Sequence, residues 1–334
     1  MYAARWTARA TWHEVDATRS DLEGLVLERR GALISVIVSA ACFSTLAVFT
    51  KIAYGLGAQP LPLLTWRFVA VAAVLAAWQL VRSPQALKVS VGDIGRYSIL
   101  SLTGYGAASL CFFFAVRFVG ASVTTVLLYT YPAIVSLIAW VFLGEPFTWR
   151  RLVAICLTFA GCALVAGVLG AGGSANLTGV VLGLGAALGY AVFNVFSYRW
   201  MGRQPRIVLM TYTFAISAVG VAAVTLLSGN SLSVETWTPP VWGLLALIVF
   251  IPTVIAVLLY LRGLGGLGAA QAAIISTFEP LFTILLAMAV LGERLSALQW
   301  AGAVILLSGV VLAEWRPSGS RERDAVEVDE FAGL

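Results

Sequence analysis

The sequence predicts an all-α integral membrane protein with ten transmembrane helices, arranged as two inverted five-helix repeats. Of its 334 residues, 60% are hydrophobic and only 11% are charged, whereas soluble domains average about 45–50% and about 25%. The apolar residues form ten runs, and the last five runs repeat motifs of the first five. The basic residues lie almost entirely on one of the two faces that ten crossings define.

Each of the ten apolar runs is long enough to cross about 30 Å of hydrocarbon as a helix. Polar segments without a hydrophobic period flank them at residues 1–30 and 314–334, and we interpret these as tails. The runs, numbered helices 1 to 10, cover residues 32–54, 61–81, 97–116, 122–143, 151–169, 178–198, 207–228, 241–261, 269–291 and 297–313.

The basic residues predict the orientation of these helices. Seventeen of the 21 Lys and Arg residues fall on the face that carries both tails, and Arg67 lies inside helix 2. The opposite face has only Lys51, Arg117 and Arg294. Since cytoplasmic loops carry the excess of basic residues, both termini are predicted to be cytoplasmic. One crossing more or fewer would spoil this segregation.

An internal repeat divides the chain into two halves, residues 31–169 and 178–313. Because each half has the odd number of five helices, the second half enters the membrane from the opposite side, which predicts inverted repeats. A shift of 148 residues brings Pro132 onto Pro280, Gly161 onto Gly309, and Leu143, Gly144 and Glu145 onto Leu291, Gly292 and Glu293.

The composition also limits which ligands and partners are expected for this chain. Histidine occurs once, at His13, and the four cysteines are scattered through apolar runs, so no metal site or other cofactor is expected. The net charge of +5 is explained by orientation, so no nucleic-acid partner is expected either. The expected partners are the lipid bilayer and a small-molecule metabolite, and the sequence leaves a homodimer open.

Short motifs in both halves resemble the EamA-type group of the drug/metabolite transporter superfamily, over about residues 31–313. In the second half they are YLRGL at 260–264, GAAQ at 268–271, FEPL at 278–281, VLGERL at 290–295 and WAG at 300–302. In the first half they are Thr50-Lys51, WRF at 66–68, Tyr131-Pro132, FLGEP at 142–146 and Gly161. Phe43 stands where the group usually has Trp, and the N-terminal tail is longer than typical.

This resemblance implies a secondary transporter of the plasma (inner) membrane that exports small polar or amphipathic metabolites, such as amino acids, without ATP. It also implies alternating access around a cavity formed by helices 1, 3, 4, 6, 8 and 9. A passive facilitator or channel is the alternative. An intramembrane enzyme is disfavoured because the membrane runs contain neither histidine nor a pair of aspartates.

Glu279 is the most informative candidate for the substrate site. It lies near the middle of helix 9, directly before Pro280, where a charged carboxyl is costly and proline frees a backbone carbonyl of the preceding turn. A carboxyl that gains and loses a proton there could couple transport to a proton gradient. A paired glutamate that only ties helices together is the equally weighted alternative.

The repeat places Tyr131-Pro132 of helix 4 opposite Glu279-Pro280, so a phenol in one kinked helix corresponds to a carboxyl in the other. Buried aromatic and hydroxyl side chains can grip an oriented solute, although packing and interhelical hydrogen bonds are their commoner roles. The further candidates for lining the site are Tyr129, Thr277, Phe278, Tyr190, Asn194, Ser44, Tyr105 and Phe112.

Two cations are candidates for gating or for pairing with a solute. Lys51 is close to the outer end of helix 1, where its side chain can reach the membrane interface. Arg67 is deeper, about seven residues into helix 2, and is expected to have a partner. Their candidate roles are a gate ion pair and attraction of an anionic group of the solute.

Overall fold

The computed structural model describes residues 12–143, 148–166, 176–200, 206–267 and 269–314, and within these ranges it contains helices and no strand. The helices are α1 (Trp12–Gly55), α2 (Pro60–Arg82), α3 (Val91–Ile99), α4 (Ala107–Leu128), α5 (Tyr131–Leu143), α6 (Trp149–Val165), α7 (Leu177–Trp200), α8 (Arg206–Leu227), α9 (Pro239–Val249), α10 (Ala256–Leu267), α11 (Ala269–Ser276), α12 (Phe278–Leu291) and α13 (Ala297–Glu314).

Seven helical stretches in the described part of the chain are long and apolar enough to cross a membrane. Two shorter apolar helices, Tyr131–Phe142 and Ala297–Ala313, accompany them. The chain is therefore an all-helical multi-pass membrane protein, and the number of ten crossings stays a prediction. Helix α1 begins at Trp12, so it extends into the predicted N-terminal tail, whereas the predicted C-terminal tail lies outside the described residues beyond Glu314.

Several membrane stretches are interrupted. Wide, π-helical turns at Leu100–Gly106 and Phe250–Ile255 join α3 to α4 and α9 to α10. Inside α4, Gly120 has φ of 83°, which a residue with a side chain rarely adopts, and the helix restarts there. Predicted helices 4 and 9 each stop and restart, at residues 129–130 and at Thr277, instead of merely bending.

Helices that the repeat makes equivalent pack directly against each other, and they run in opposite directions. The late residue Gly161 of α6 meets the early residue Gly302 of α13, while the late Gly309 of α13 meets the early Ala154 of α6. In the same way the late Gln79 of α2 hydrogen-bonds to the start of α8. Both pairs are antiparallel.

Glu293, which follows α12, holds the restart of α4 at one end of the bundle. Its carboxylate accepts hydrogen bonds from the backbone N–H groups of Ala121 and Ser122 at 2.8 and 3.0 Å, and from the Ser122 hydroxyl at 2.7 Å. A β-carbon at Gly120 would lie 2.6 Å from this carboxylate and would displace it from these hydrogen bonds, in addition to straining the positive φ. The carboxylate thus caps a helix N-terminus of the other half.

Replacing Gly161 with valine should force α6 and α13 apart. A β-carbon there would lie 2.4 Å from the Leu306 backbone nitrogen and 2.5 Å from the Gly302 carbonyl. Overpacking of this kind costs about 1–3 kcal/mol or more, so the unfolding temperature of the purified protein in detergent should fall. Gly243→Val is the matched control, because nothing lies within 4 Å of its β-carbon. Equal effects of the two substitutions would contradict the assigned packing.

Candidate functional site

The centre of the site is the break between α11 and α12. In a continuous helix the Ser276 carbonyl would accept from the N–H four residues later, but that residue is Pro280, which has no N–H. The Tyr129 hydroxyl, at the end of α4, lies 2.7 Å from the Ser276 carbonyl oxygen and takes the place of the missing donor. Tyr129 is buried, so water is a poor substitute for it.

The Tyr129 hydroxyl also contacts the side chain of Glu279. Its Oε2 lies 2.9 Å from the Tyr129 hydroxyl oxygen, and its side chain is half-buried between helices. A hydroxyl has one hydrogen to donate, and here two acceptors lie within hydrogen-bond distance of it. If Glu279 is protonated it donates to Tyr129, Tyr129 donates to Ser276, and both contacts are satisfied.

Two further tyrosines, Tyr131 and Tyr190, lie near Tyr129 and Glu279. The rings of Tyr131 and Tyr190 meet edge to face with centroids 4.9 Å apart, and the Tyr129 and Tyr131 centroids are 6.0 Å apart. Tyr190 of α7 also lies within electrostatic reach of Glu279 and Tyr105. Tyr131 and Tyr190 are both half-buried residues.

Helix α1 contacts α12 one turn after Glu279. The buried Thr283 hydroxyl lies 3.4 Å from the Ser44 carbonyl of α1 and 3.0 Å from the Glu279 carbonyl. The Ser44 hydroxyl itself donates to Ala41 in its own helix. Ser44 therefore contributes its backbone to the α1–α12 contact, and its side chain does not point a free hydroxyl at the site.

Tyr105 and Phe112, predicted as an aromatic wall, lie in different surroundings. Tyr105, in the π-helical turn before α4, packs against Phe193 and Phe214 with centroids 5.4 and 5.2 Å apart, and it remains half-buried near Tyr190. Phe112 is buried in the apolar core beside Phe113. Tyr105 borders the group formed by Tyr129, Tyr131 and Tyr190, called here the tyrosine cluster. Phe112 packs in the apolar core.

Asn194 and Phe278 are both exposed, and their role in lining the site stays a prediction. The Asn194 amide donates to the Tyr190 carbonyl of its own helix at 2.8 Å. Phe278 has 48% of its surface exposed and stacks on Phe282 one turn later. Thr277 is buried, and its hydroxyl donates a hydrogen bond to the Ile274 carbonyl in the last turn of α11.

Lys51 fastens α1 to α4 near the end of the bundle that carries Gly120. Its ammonium donates to the Val116 carbonyl at 3.3 Å, and the Tyr54 hydroxyl one turn later donates to the Phe113 carbonyl at 2.9 Å. Arg117, from the same turn of α4, donates to Gln59 at 3.0 Å. Lys51 therefore has a backbone partner at this end of the bundle.

Arg67 is the most deeply buried charge in the described part of the chain, with 3% of its surface exposed. Its guanidinium lies over the rings of Phe68 and Phe113 at 5.6 and 5.5 Å, and its one hydrogen bond is a long one of 3.4 Å to the Thr253 hydroxyl. Its Nε has no hydrogen-bond partner. The two cation–π contacts offset part of the cost of burying the guanidinium, but the unpaired Nε and the single long hydrogen bond leave part of its donor capacity unused.

The sequence analysis missed several residues of this region. Ser276 could have been found from Pro280, because proline frees the carbonyl four residues before it. Thr253 and Thr283 lie in other helices, and the spacing of residues along the chain gives no sign of their contacts with Arg67 and Ser44. Within the described ranges, no group of three or more His, Cys, Asp or Glu side chains is placed to hold a metal ion.

A model of the EamA-like transporter family matches this chain twice, at residues 30–167 and 177–315. The chain is 28% identical over 298 residues to the "Uncharacterized transporter YcbK" of Bacillus subtilis, covering 85% of this chain and 93% of that protein. It is 30% identical over 224 residues to the "Uncharacterized transporter YwfM" of the same organism, covering 65% of this chain and 72% of that protein.

A solved crystal structure is also similar to this chain. The TM-score is 0.59 at 18% sequence identity, and the match covers 84% of this chain and 96% of the other. At this level of identity the likeness supports the fold alone.

Tyr129→Phe should destabilise the protein by about 1–3 kcal/mol, because the Ser276 carbonyl loses the buried hydroxyl that replaces its missing N–H donor. The measurement is the unfolding temperature of the purified protein. Tyr212→Phe is the matched control, since that hydroxyl donates at 2.6 Å to the carbonyl of Leu87, in the short 3₁₀ helix Pro84–Leu87. Tyr212 is half-buried, whereas Tyr129 is buried, so water is a better substitute at Tyr212. A loss at Tyr129 no greater than the loss at Tyr212 would show that the break between α11 and α12 does not depend on the phenol.

Proposed function

Because the chain belongs to the EamA-like transporter family, we propose that it is a secondary transporter that exports small polar or amphipathic metabolites across the plasma membrane. Transport proceeds by alternating access, with Glu279 as the proton-carrying group. The observation that carries this proposal is the meeting of Glu279, Tyr129 and a freed backbone carbonyl at a broken helix in the middle of the bundle.

The packing of equivalent helices supports an inverted-repeat architecture. If the two halves had the same orientation, α6 and α13 would run parallel, as would α2 and α8. Both pairs run antiparallel instead, as a two-fold axis in the membrane plane requires. Such an axis allows each half to adopt the conformation of the other, which opens the central site to alternate sides.

The hydrogen bonds at the break support a link between protonation and helix geometry. With a protonated Glu279, Tyr129 can donate to the Ser276 carbonyl, and the broken helix keeps all its partners. With an ionised Glu279, the carboxylate is the stronger acceptor and competes for the same hydrogen. The Ser276 carbonyl then lacks a donor in a region where unpaired backbone is costly, so the charge of Glu279 changes the stability of the hinge.

The contacts of α1 support a gating role for Lys51. In this structure α1 is fastened to α4 by Lys51 and Tyr54 at the end of the bundle that the distribution of basic residues assigns to the outside. Opening the site to that side requires these two hydrogen bonds to break. The same assignment places both termini in the cytoplasm.

A passive channel and an intramembrane enzyme are the alternatives. A channel has no closed intermediate and shows no saturable counterflow, so the two mechanisms separate in proteoliposomes. An enzyme needs a nucleophile or base held beside a second catalytic group, and the carboxyl of Glu279 is instead paired with a phenol that replaces a backbone donor.

Glu279→Gln should abolish transport driven by a proton gradient while leaving exchange of solute for solute. The substituted amide keeps the size of the side chain but no longer takes up and releases a proton. The solute is first chosen as the metabolite most enriched in the medium of cells that express the protein, and its uptake is then measured in proteoliposomes. Glu235→Gln, in an exposed loop, is the control and should behave like the wild type.

Gradient-driven transport by Glu279→Gln at the wild-type rate would exclude proton coupling through this residue. Loss of both gradient-driven transport and exchange would assign Glu279 to substrate binding instead.

A further inference from the structure

Arg67 is a buried cation with no acidic partner among the described residues. Its guanidinium is buried, yet no carboxylate in the described part of the chain lies within salt-bridge distance of it. Its partners are two aromatic rings and one threonine hydroxyl at 3.4 Å. Buried charges in proteins are normally paired, so the missing counter-charge points to a ligand.

Arg67 belongs to a group of cations around a single turn of α4, residues 113–117. Arg67 lies over the ring of Phe113, Lys51 donates to the Val116 carbonyl, and Arg117 is part of the turn itself. Within the described residues none of the three forms a salt bridge with an acidic side chain. The Glu293 carboxylate lies about one turn further along α4, at Ala121 and Ser122, so these three cations outnumber the nearby carboxylate.

A cavity of about 350 Å³ opens at the same end of the bundle. Arg117, Phe114 and Trp237 line it, together with residues 60–62 at the start of α2 and hydroxyl groups of the loop between α8 and α9. Pro60 and Pro62 have no N–H to donate, so Arg117 is the group that presents positive charge to an anion entering the cavity. Leu61 and Phe114 of its lining are close in sequence to Arg67 and Phe113, which places Arg67 about 9 Å further along α2.

We propose that Arg67 is an anion-binding residue and that the transported solute carries a carboxylate group which pairs with it. This inference rests on the proposed transport function and narrows the substrate class to small carboxylates. The outer cavity collects the anion, and the pairing occurs when α2 and α4 separate enough for the carboxylate to replace the rings over the guanidinium. An anionic solute then supplies the counter-charge that the protein lacks.

The rest of the arrangement fits a solute with a charged and an apolar part. Phe68 and Phe113 flank Arg67, and Tyr105 connects Phe68 to the tyrosine cluster around Glu279, with ring centroids of Phe68 and Tyr105 6.0 Å apart. Apolar groups pack favourably against aromatic rings. A carboxylate at Arg67 would therefore direct the body of the solute along this aromatic path towards Glu279.

The test measures binding of small carboxylates to the full chain in detergent. Binding is detected as a rise in the unfolding temperature, which is monitored by intrinsic tryptophan fluorescence. The probes are acetate, butyrate and phenylacetate, each compared with its own neutral amide at matched ionic strength, and sodium chloride is titrated separately. At least one acid should raise the unfolding temperature in a saturable way, while its amide should not. This comparison in the wild-type protein does not depend on any variant folding correctly.

Arg67→Gln should weaken binding of that acid by about tenfold or more, since a charge-assisted hydrogen bond is lost. Arg67→Lys should bind with intermediate affinity, because it keeps the charge but not the two-pronged geometry of the guanidinium. Arg82→Gln is the matched control, since Arg82 lies on the same helix over a tryptophan ring at 5.9 Å but is exposed. It should bind the acid as the wild type does.

The proposal is overturned if no acid stabilises the protein more than its amide, or if Arg67→Gln keeps the wild-type affinity. It is also overturned if chloride alone stabilises the protein and no carboxylate adds to this effect, because the site would then be a halide site. Binding is measured without a membrane gradient, so a failure of proton-coupled transport at Glu279 would leave a positive result here intact.

Discussion

The structure depends on one constraint, which is that backbone N–H and C=O groups in hydrocarbon must find partners inside the protein. A continuous helix meets this requirement by itself, and a helix containing proline does not. Pro280 leaves the Ser276 carbonyl without its donor, and the Tyr129 phenol from the other half of the chain supplies one. The same phenol contacts Glu279, so the carboxyl in the first turn of α12 lies where the missing backbone donor is replaced.

The two halves are alike in framework and different in chemistry. Both contain a π-helical turn before a broken helix, and both place a proline just after the break, at Pro132 and Pro280. The residue before the proline is Tyr131 in one half and Glu279 in the other. In the transport mechanism proposed above, the shared framework would let the halves exchange conformations, and the difference between Tyr131 and Glu279 would let the site distinguish the two ends of a solute.

Much of the framework could be predicted from sequence, because helix length and hydrophobicity, proline and the repeat are local or periodic signals. Pro132 and Pro280 predicted two kinked helices, and each helix is interrupted just before its proline; at the second interruption the Tyr129 phenol replaces the missing donor. The exposure of Asn194 could not be predicted, because it depends on which neighbours the face of α7 meets. The surroundings of Arg67 were also hidden, since Thr253 and Phe113 come from other helices.

The central claim is that Glu279 holds a proton in the arrangement with Tyr129 and Ser276, and infrared difference spectroscopy of the purified protein tests it most directly. Spectra of the wild type and Glu279→Gln, recorded across a range of pH, should differ by the C=O stretch of a protonated carboxyl. That band should shift in Tyr129→Phe, because the hydrogen bond to the phenol is lost. A difference consisting of a carboxylate band alone at every pH would contradict the claim.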